Sequence, residues 1–318
     1  MTALHELKSR LRLPAIAAPM FLISGPDLVI ASCRAGVIGA FPAPNARTPE
    51  ILDEWLGRIA AEVTADDAPW AANLVMHSSY DRRRADLDLA VRHRAPIVIT
   101  ALGSPRDAVE AVHGYGGLVF ADVNSVEFAR KAAATGVDGL VLVSSGAGGH
   151  TGQVSPFAFV DAVRGFFDGT VVLAGAISSG RGVRAAEVLG ADLAYMGTRF
   201  IATEESMAPD EYRQMLVDSG PSDIICSAAV SGVPANWLRA SLERAGYDPD
   251  QMGGAGNIDF TKPQDDAKAW KNVWSAGHGV GTIDRVQPVA TLVAELGADY
   301  DSACNTPVHT RGAREQVA

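Results

Sequence analysis

The sequence predicts a closed (β/α)8 barrel, and three observations carry that expectation. Eight short apolar runs recur along the chain, a helical pattern separates most successive runs, and the runs are apolar on both faces, as parallel strands covered by helices must be. The first run, PAIAAPM at residues 14–20, leads into PDLVIASCRAG, where Pro26 and Asp27 suit a helix start and Gly36 suits its end. VIGAF follows, and a helix, TPEILDEWLGRIAAEV, opens on Thr48-Pro49 before the third run, WAANLVM. PIVITALG leads into SPRDAVEAVHGYG, and LVFADV leads into NSVEFARKAAATG, where Asn124 or Ser125 is a natural N-cap. GLVLVSSGAGG, TVVLAGAISSG and LAYMGTRF complete the set. TGVDGLVLVSSG and LGADLAYMGTRF echo one another, which marks a repeated unit type rather than a duplication.

The βα rhythm stops after TRFIATEES. Residues 205–270 hold the helical stretches APDEYRQMLVDSG and PANWLRASLERAG and a Gly-rich turn, GGAGN, so a mostly helical lobe is expected there. WSAGHGVGTIDRVQPVATLVAELG is assigned to the final helix. The expected division is a barrel over 1–204 and 271–318 with a lobe inserted at 205–270.

In a chain of 318 residues, 47% hydrophobic and 20% charged, a folded globular enzyme is expected rather than a disordered protein. A net charge of −10 argues against nucleic acid and anionic membranes, both of which attract basic surfaces. DRRRAD reads as a solvated helix face. Cys33, Cys226 and Cys304 are few, far apart and odd in number, so neither a disulfide framework nor a metal site is indicated. With no long apolar segment, a soluble cytoplasmic protein is expected.

Barrel chemistry sits at the carboxyl ends of the strands. Those ends carry Pro19 and Met20, Asn73, Asp122, the stretch SSGAGGHTG, GAISSGRGV and MGTRF. In SSGAGGHTG, His150 lies among glycines that permit close backbone approach, and an imidazole exchanges protons near neutral pH. Gly175, Ser178, Ser179 and Gly180 precede a helix, and Gly197 and Thr198 follow the next run. Amides and a helix N-terminus at these two loops suit a phosphate. His77 and Tyr80 occupy a loop after the third run, as substrate-positioning groups or plain surface residues. NWLRAS and Trp274 supply either aromatic lining or lobe core.

With APM, NLV, GAGGHTG, GAISSGRGV, MGTRF and WSAGHGVG in this order, most of the chain resembles the nitronate monooxygenases, formerly 2-nitropropane dioxygenases, which bind FMN on a TIM barrel. The resemblance implies that Ala18, Pro19 and Met20 lie by the reactive face of the flavin and that Asn73 hydrogen-bonds it. Gly148 and Gly149 would allow close approach. Ala176, Ser179, Gly180, Gly197 and Thr198 would hold the FMN phosphate, with the segment carrying Gly277 and His278 closing beside it. His150 aligns with the family's catalytic histidine. Many relatives carry glutamine at His278, which either contacts the phosphate or caps a helix. Some flavin-dependent relatives carry lysine at Asp122; a carboxylate there would either raise the pKa of a nearby His150 or pair with an arginine.

The implied activity is oxidation of alkyl nitronates, or of nitroalkanes, with O2 to carbonyl compounds and nitrite. The alternatives are an NAD(P)H-dependent flavin reductase of the same fold, acting on quinones or enoyl thioesters, and a non-catalytic flavin-binding protein. A small-molecule substrate and O2 are the expected partners, and a homodimer is compatible with this reading.

Overall fold

In the computed structural model, which describes residues 7–252 and 273–306, eight parallel strands close into a barrel. They are β1 (Ala15–Ala17), β2 (Ile38–Pro42), β3 (Trp70–Val75), β4 (Ile97–Ala101), β5 (Leu118–Val123), β6 (Gly139–Val143), β8 (Thr170–Ala174) and β9 (Leu193–Met196). β7 (Gly149–His150) lies outside the ring. Closure comes from β1, which pairs with β2 at Ile16↔Ile38 and with β9 at Ile16↔Tyr195.

The helices start and stop where local chemistry dictates. α1 (Pro26–Ala35) ends on Gly36 at φ 93°, a left-handed cap that glycine adopts without strain. Thr48 Oγ1 accepts from Ile51 N ahead of α2 (Pro49–Glu62), and Ser125 Oγ accepts from Phe128 N ahead of α5 (Val126–Ala133). Between them lie α3 (Arg83–Arg92) and α4 (Arg106–His113); α6 (Pro156–Arg164) and α7 (Gly180–Leu189) follow.

Side chains fill the lumen: Ile16, Ile38, Ile99, Phe120, Val141 and Val172 form one buried cluster, joined by Leu7 from ahead of β1. The two echoing units repeat a specific device. Asp138 N donates to Val119 O at 2.8 Å while its Oδ2 accepts from Val119 N; Asp192 does the same to Val171 with N–O 2.7 Å and Oδ2–N 2.9 Å. Each aspartate thereby extends a parallel pairing one residue beyond its strand.

After β9 and the short α8 (Thr198–Ile201) come α9 (Asp210–Val217), β10 (Ile224–Ser227), β11 (Ala235–Leu238) and α10 (Arg239–Arg244). Two expectations need correction. The stretch 234–246 is not one helix, because its first residues are drawn into β11, which pairs antiparallel with β10 on one edge and β7 on the other. The final helix, α11 (Val289–Asn305), starts well after Trp274. Pro288 precedes it, and residues 275–287 are held in bridges and a 3-10 turn at His278–Thr282. GGAGN falls outside the described residues. No helix among the described residues is long and apolar enough to cross a membrane.

The bareness of Gly180 serves helix packing. A Cβ there would lie 2.2 Å from both Leu296 O and Tyr300 N of α11. Gly180→Ala therefore forces α7 from α11, and a destabilisation of about 1–3 kcal/mol is expected in urea unfolding; an unchanged midpoint would contradict this packing.

Candidate functional site at the carboxyl end of the barrel

Five loop segments meet above the strands, each fastened by its own bonds. The loop after β1 carries Ala18, Pro19 and Met20. Met20 N donates to Ser24 Oγ at 3.0 Å, and the buried Asn45 accepts from Leu22 N at 2.8 Å while donating to Met20 O and Ser24 O. Leu22, at φ 65°, is held in an unfavourable conformation by these contacts. Sequence reasoning missed Asn45, whose local signal was only an asparagine after two prolines.

The loop after β6 has its carbonyls occupied one after another. Ser144 O accepts from Thr151 Oγ1 at 3.2 Å, Gly146 O from His278 N at 3.0 Å, and Ala147 O from Asn236 Nδ2 at 2.7 Å. β7 then pairs with β11 at Gly149↔Asn236 and His150↔Ala235, and Thr151 N donates to Pro234 O. His150 is exposed, displayed on a strand pinned by the neighbouring lobe segment. Asn236, 2% exposed, is a further residue that the sequence reading overlooked, because its partner lies far along the chain.

The loop after β8 turns through Gly175 at φ 129° and Ala176 at φ 55°. Ala176 is exposed at the rim, and its non-glycine left-handed backbone marks stored strain. Ser179 caps α7, its Oγ accepting from Gly182 N at 3.1 Å. After β9, Thr198 Oγ1 accepts from Gly277 N at 2.8 Å. Gly277 and Gly148 sit back to back: a Cβ on Gly148 would lie 2.7 Å from Gly277 N, and one on Gly277 would lie 2.6 Å from Gly146 O. Gly148 is thus bare for the chain's own backbone. His278 is exposed, and its Nδ1 and the Ala176 Cβ each lie 3.3 Å from where a Gly146 Cβ would point. The segments holding Gly146–Gly148, Ala176–Ser179, Gly197–Thr198 and Gly277–Gly279 therefore converge.

The floor of this site is polar. Asn73, buried on β3, donates to Ile99 O at 3.2 Å and reaches Asp122 Oδ2 at 3.5 Å. Asp122 Oδ1 is sealed from solvent without a hydrogen-bond partner, and so is the Tyr195 hydroxyl. Burial pushes the Asp122 carboxyl up to about 7, with Asn73 opposing, and burial raises Tyr195 well above its ordinary range with Asp122 adding to the effect. Among the described residues no salt bridge reaches Asp122; burial raises its pKa, and no arginine is there to hold it down.

Other candidates lie apart from this floor. Tyr80 donates to the buried Asp86 at 2.8 Å, and His77 Nδ1 contacts Ser79 Oγ at 2.7 Å. Arg82, from DRRRAD, binds Asp86 and Ala46 O, so this residue is structural rather than simply solvated. Trp237 is fully buried, and Trp274 stacks on Tyr212 at 4.8 Å, so both belong to the packing of the neighbouring segment.

These residues fit a planar heterocycle carrying a phosphate. Two unpartnered polar atoms lie buried in the floor, while the amino end of the ten-residue α7 and His278 border one side of the rim.

A family model described as nitronate monooxygenase matches residues 60–299. The chain is 29% identical over 333 residues to a nitronate monooxygenase of Paraburkholderia phytofirmans, covering 89% of this chain and 91% of that one. It is 30% identical over 241 residues to a hydroxy-methyl-oxo-octahydroindene-carboxyl-CoA dehydrogenase of Rhodococcus jostii, covering 76% of this chain and 66%, just under two thirds, of that protein. The nitroalkane oxidase of Streptomyces ansochromogenes superposes with a TM-score of 0.79 at 25% identity, covering 94% of this chain and 99% of that one. FabK from Thermotoga maritima shares the fold, with a TM-score of 0.77 at 23% identity over 96% and 97% of the two chains.

Two outcomes follow from this geometry. Asp122 is protonated in the folded chain and ionised in the unfolded chain between its ordinary value of 3.8 and about 7. It therefore binds a proton that unfolding releases, and its burial penalty grows across that window and levels off above it. Relative to the parent, Asp122→Asn should gain melting temperature progressively from about pH 4 to 7 and hold a constant gain beyond; a difference independent of pH would contradict the assignment. Asn236→Ala should cost about 1–3 kcal/mol by stranding Ala147 O, read from urea unfolding, and should lower turnover with any substrate. Unaltered stability and turnover would show that Asn236 does not hold the His150 loop.

Proposed function

Because this chain belongs to the nitronate monooxygenase family, we propose that it is an FMN-dependent oxidoreductase that oxidises alkyl nitronates with O2 to carbonyl compounds and nitrite. The observation that carries this reading is the exposed His150, held by β7 above a barrel mouth whose floor and rim suit a flavin and its phosphate. FMN, when bound, supplies the electron acceptor for the oxidation.

The chain's own residues do the rest. The loops at Ala176–Gly180, Gly197–Thr198 and Gly277–His278 would hold the phosphate, with α7 contributing the positive end of its dipole. Ser179 acts mainly as the α7 cap and Thr198 as the tie to Gly277, so backbone amides rather than these hydroxyls are the phosphate ligands. Asn73 and Asp122 would meet the ring from below, and the loop at Ala18–Met20, stiffened by Asn45, would border the reacting face. His150 would hydrogen-bond the nitro oxygens of a nitronate, or remove the α-proton of a nitroalkane at its imidazole nitrogen.

A second reading, an NAD(P)H-dependent reductase acting on quinones or thioesters, is favoured by the likeness to the Rhodococcus carboxyl-CoA dehydrogenase. Anaerobic mixing separates the two. Bleaching of flavin absorbance by an alkyl nitronate, with nitrite released after air is admitted, is the expected result. Bleaching by NAD(P)H with no response to nitronate would replace the oxidase reading by the reductase one. His150→Ala should keep its flavin and lose about 100-fold or more in turnover; unchanged turnover would remove His150 from the chemistry.

A further inference from the structure

Tyr195 and Asp122 project into the lumen from β9 and β5, strands separated in the ring by β6 and β8. Tyr195 belongs to the lumen cluster, and Asp122 follows Phe120 of that cluster by two residues, the spacing that returns a strand to the same face. Each presents a polar atom that is shielded from solvent and hydrogen-bonded to nothing, and the two are not bonded to each other. Buried polar groups are normally satisfied, so two neighbouring polar atoms without a partner, near the carboxyl ends of the strands, point to a missing partner there.

We propose that Asp122 and Tyr195 form a two-donor floor that grips the carbonyl- and nitrogen-bearing edge of the flavin ring. The inference rests on the flavin reading above and assigns to Tyr195 a role that no motif indicated. Donation by Asp122 requires its acid form, which burial maintains up to about pH 7. Of the groups around it, Asn73 opposes the rise in its pKa, and burial outweighs that opposition. Asn73 faces it from β3, Tyr195 from β9, and the remaining lumen positions at this level are apolar, among them Ile99, Val141, Val172 and Ala174. Burial and the Asn73 amide are the two influences on the Asp122 carboxyl. Loss of the Asp122 proton converts a donor into a buried anion facing the acceptor edge, so ring binding weakens as pH rises.

Riboflavin is the appropriate probe, because it keeps the ring and lacks the phosphate, so phosphate contacts at the rim do not enter its affinity. Its affinity for the full-length protein freed of flavin is read by fluorescence quenching between pH 6 and 8.5. If only the acid form binds, a group titrating at about 7 gives about thirtyfold weaker binding at the upper limit than at the lower. Asp122→Asn, which keeps an uncharged donor, should flatten the profile. Tyr195→Phe should weaken binding about fivefold or more at every pH while keeping the slope. A flat profile in the parent, a slope that survives in Asp122→Asn, or parental affinity in Tyr195→Phe would each overturn the proposal. FMN titrated in parallel separates the two inferences. A protein that binds FMN but not riboflavin keeps the cofactor reading and loses the floor, and one that binds neither loses both.

Discussion

The strand Ala235–Leu238 is hydrogen-bonded along both edges, and the shape of the barrel mouth depends on it. One edge takes β10 over four residues, from Ile224↔Leu238 to Ser227↔Ala235. The other takes β7 at Gly149 and His150, then Ser275 at Trp237, with Leu238 N donating to Trp274 O. A single extended segment thus fastens the His150 loop and the segment leading to Gly277 and His278. Barrel strands hold these parts from below and β11 holds them from above. Because Gly148 and Gly277 touch through their backbones, neither loop can shift without the other. The His150 loop and the segment carrying Gly277 and His278 form one body, an arrangement suited to chemistry that depends on sub-ångström placement.

This body was only partly legible in the sequence. The eight strands were readable because burial on both faces removes polar alternation, and the helix starts because Thr48 and Ser125 satisfy orphan amides locally. β11 was not readable. ANWL adjoins a good helix former, RASLERAG, and its extended state is imposed by partners lying 8–14 residues away on one edge and 85–87 on the other. Pairing at such range leaves no periodic trace in four residues. Glycines were readable as glycines, but the packing they serve was not: Gly180 makes room for Leu296 and Tyr300, and Gly148 for Gly277. Tyr195 looked like one more apolar-run aromatic, and only the lumen assignment from strand register reveals its hydroxyl.

Electrostatics distinguishes this mouth from a site built on a fixed positive charge. A lysine at the position of Asp122 would stay cationic beneath a bound ring and attract negative charge there. A carboxyl raised to about 7 supplies a donor without that charge, and only while it keeps its proton. The price of this choice is visible in the unfilled hydrogen-bonding capacity of Asp122 and Tyr195, which costs stability and, under the proposed flavin contact, would be relieved by the ring's acceptors. Under that proposal the same two atoms would link folding stability, cofactor retention and pH. Their low solvent access makes the linkage strong, because water cannot stand in for the missing partner.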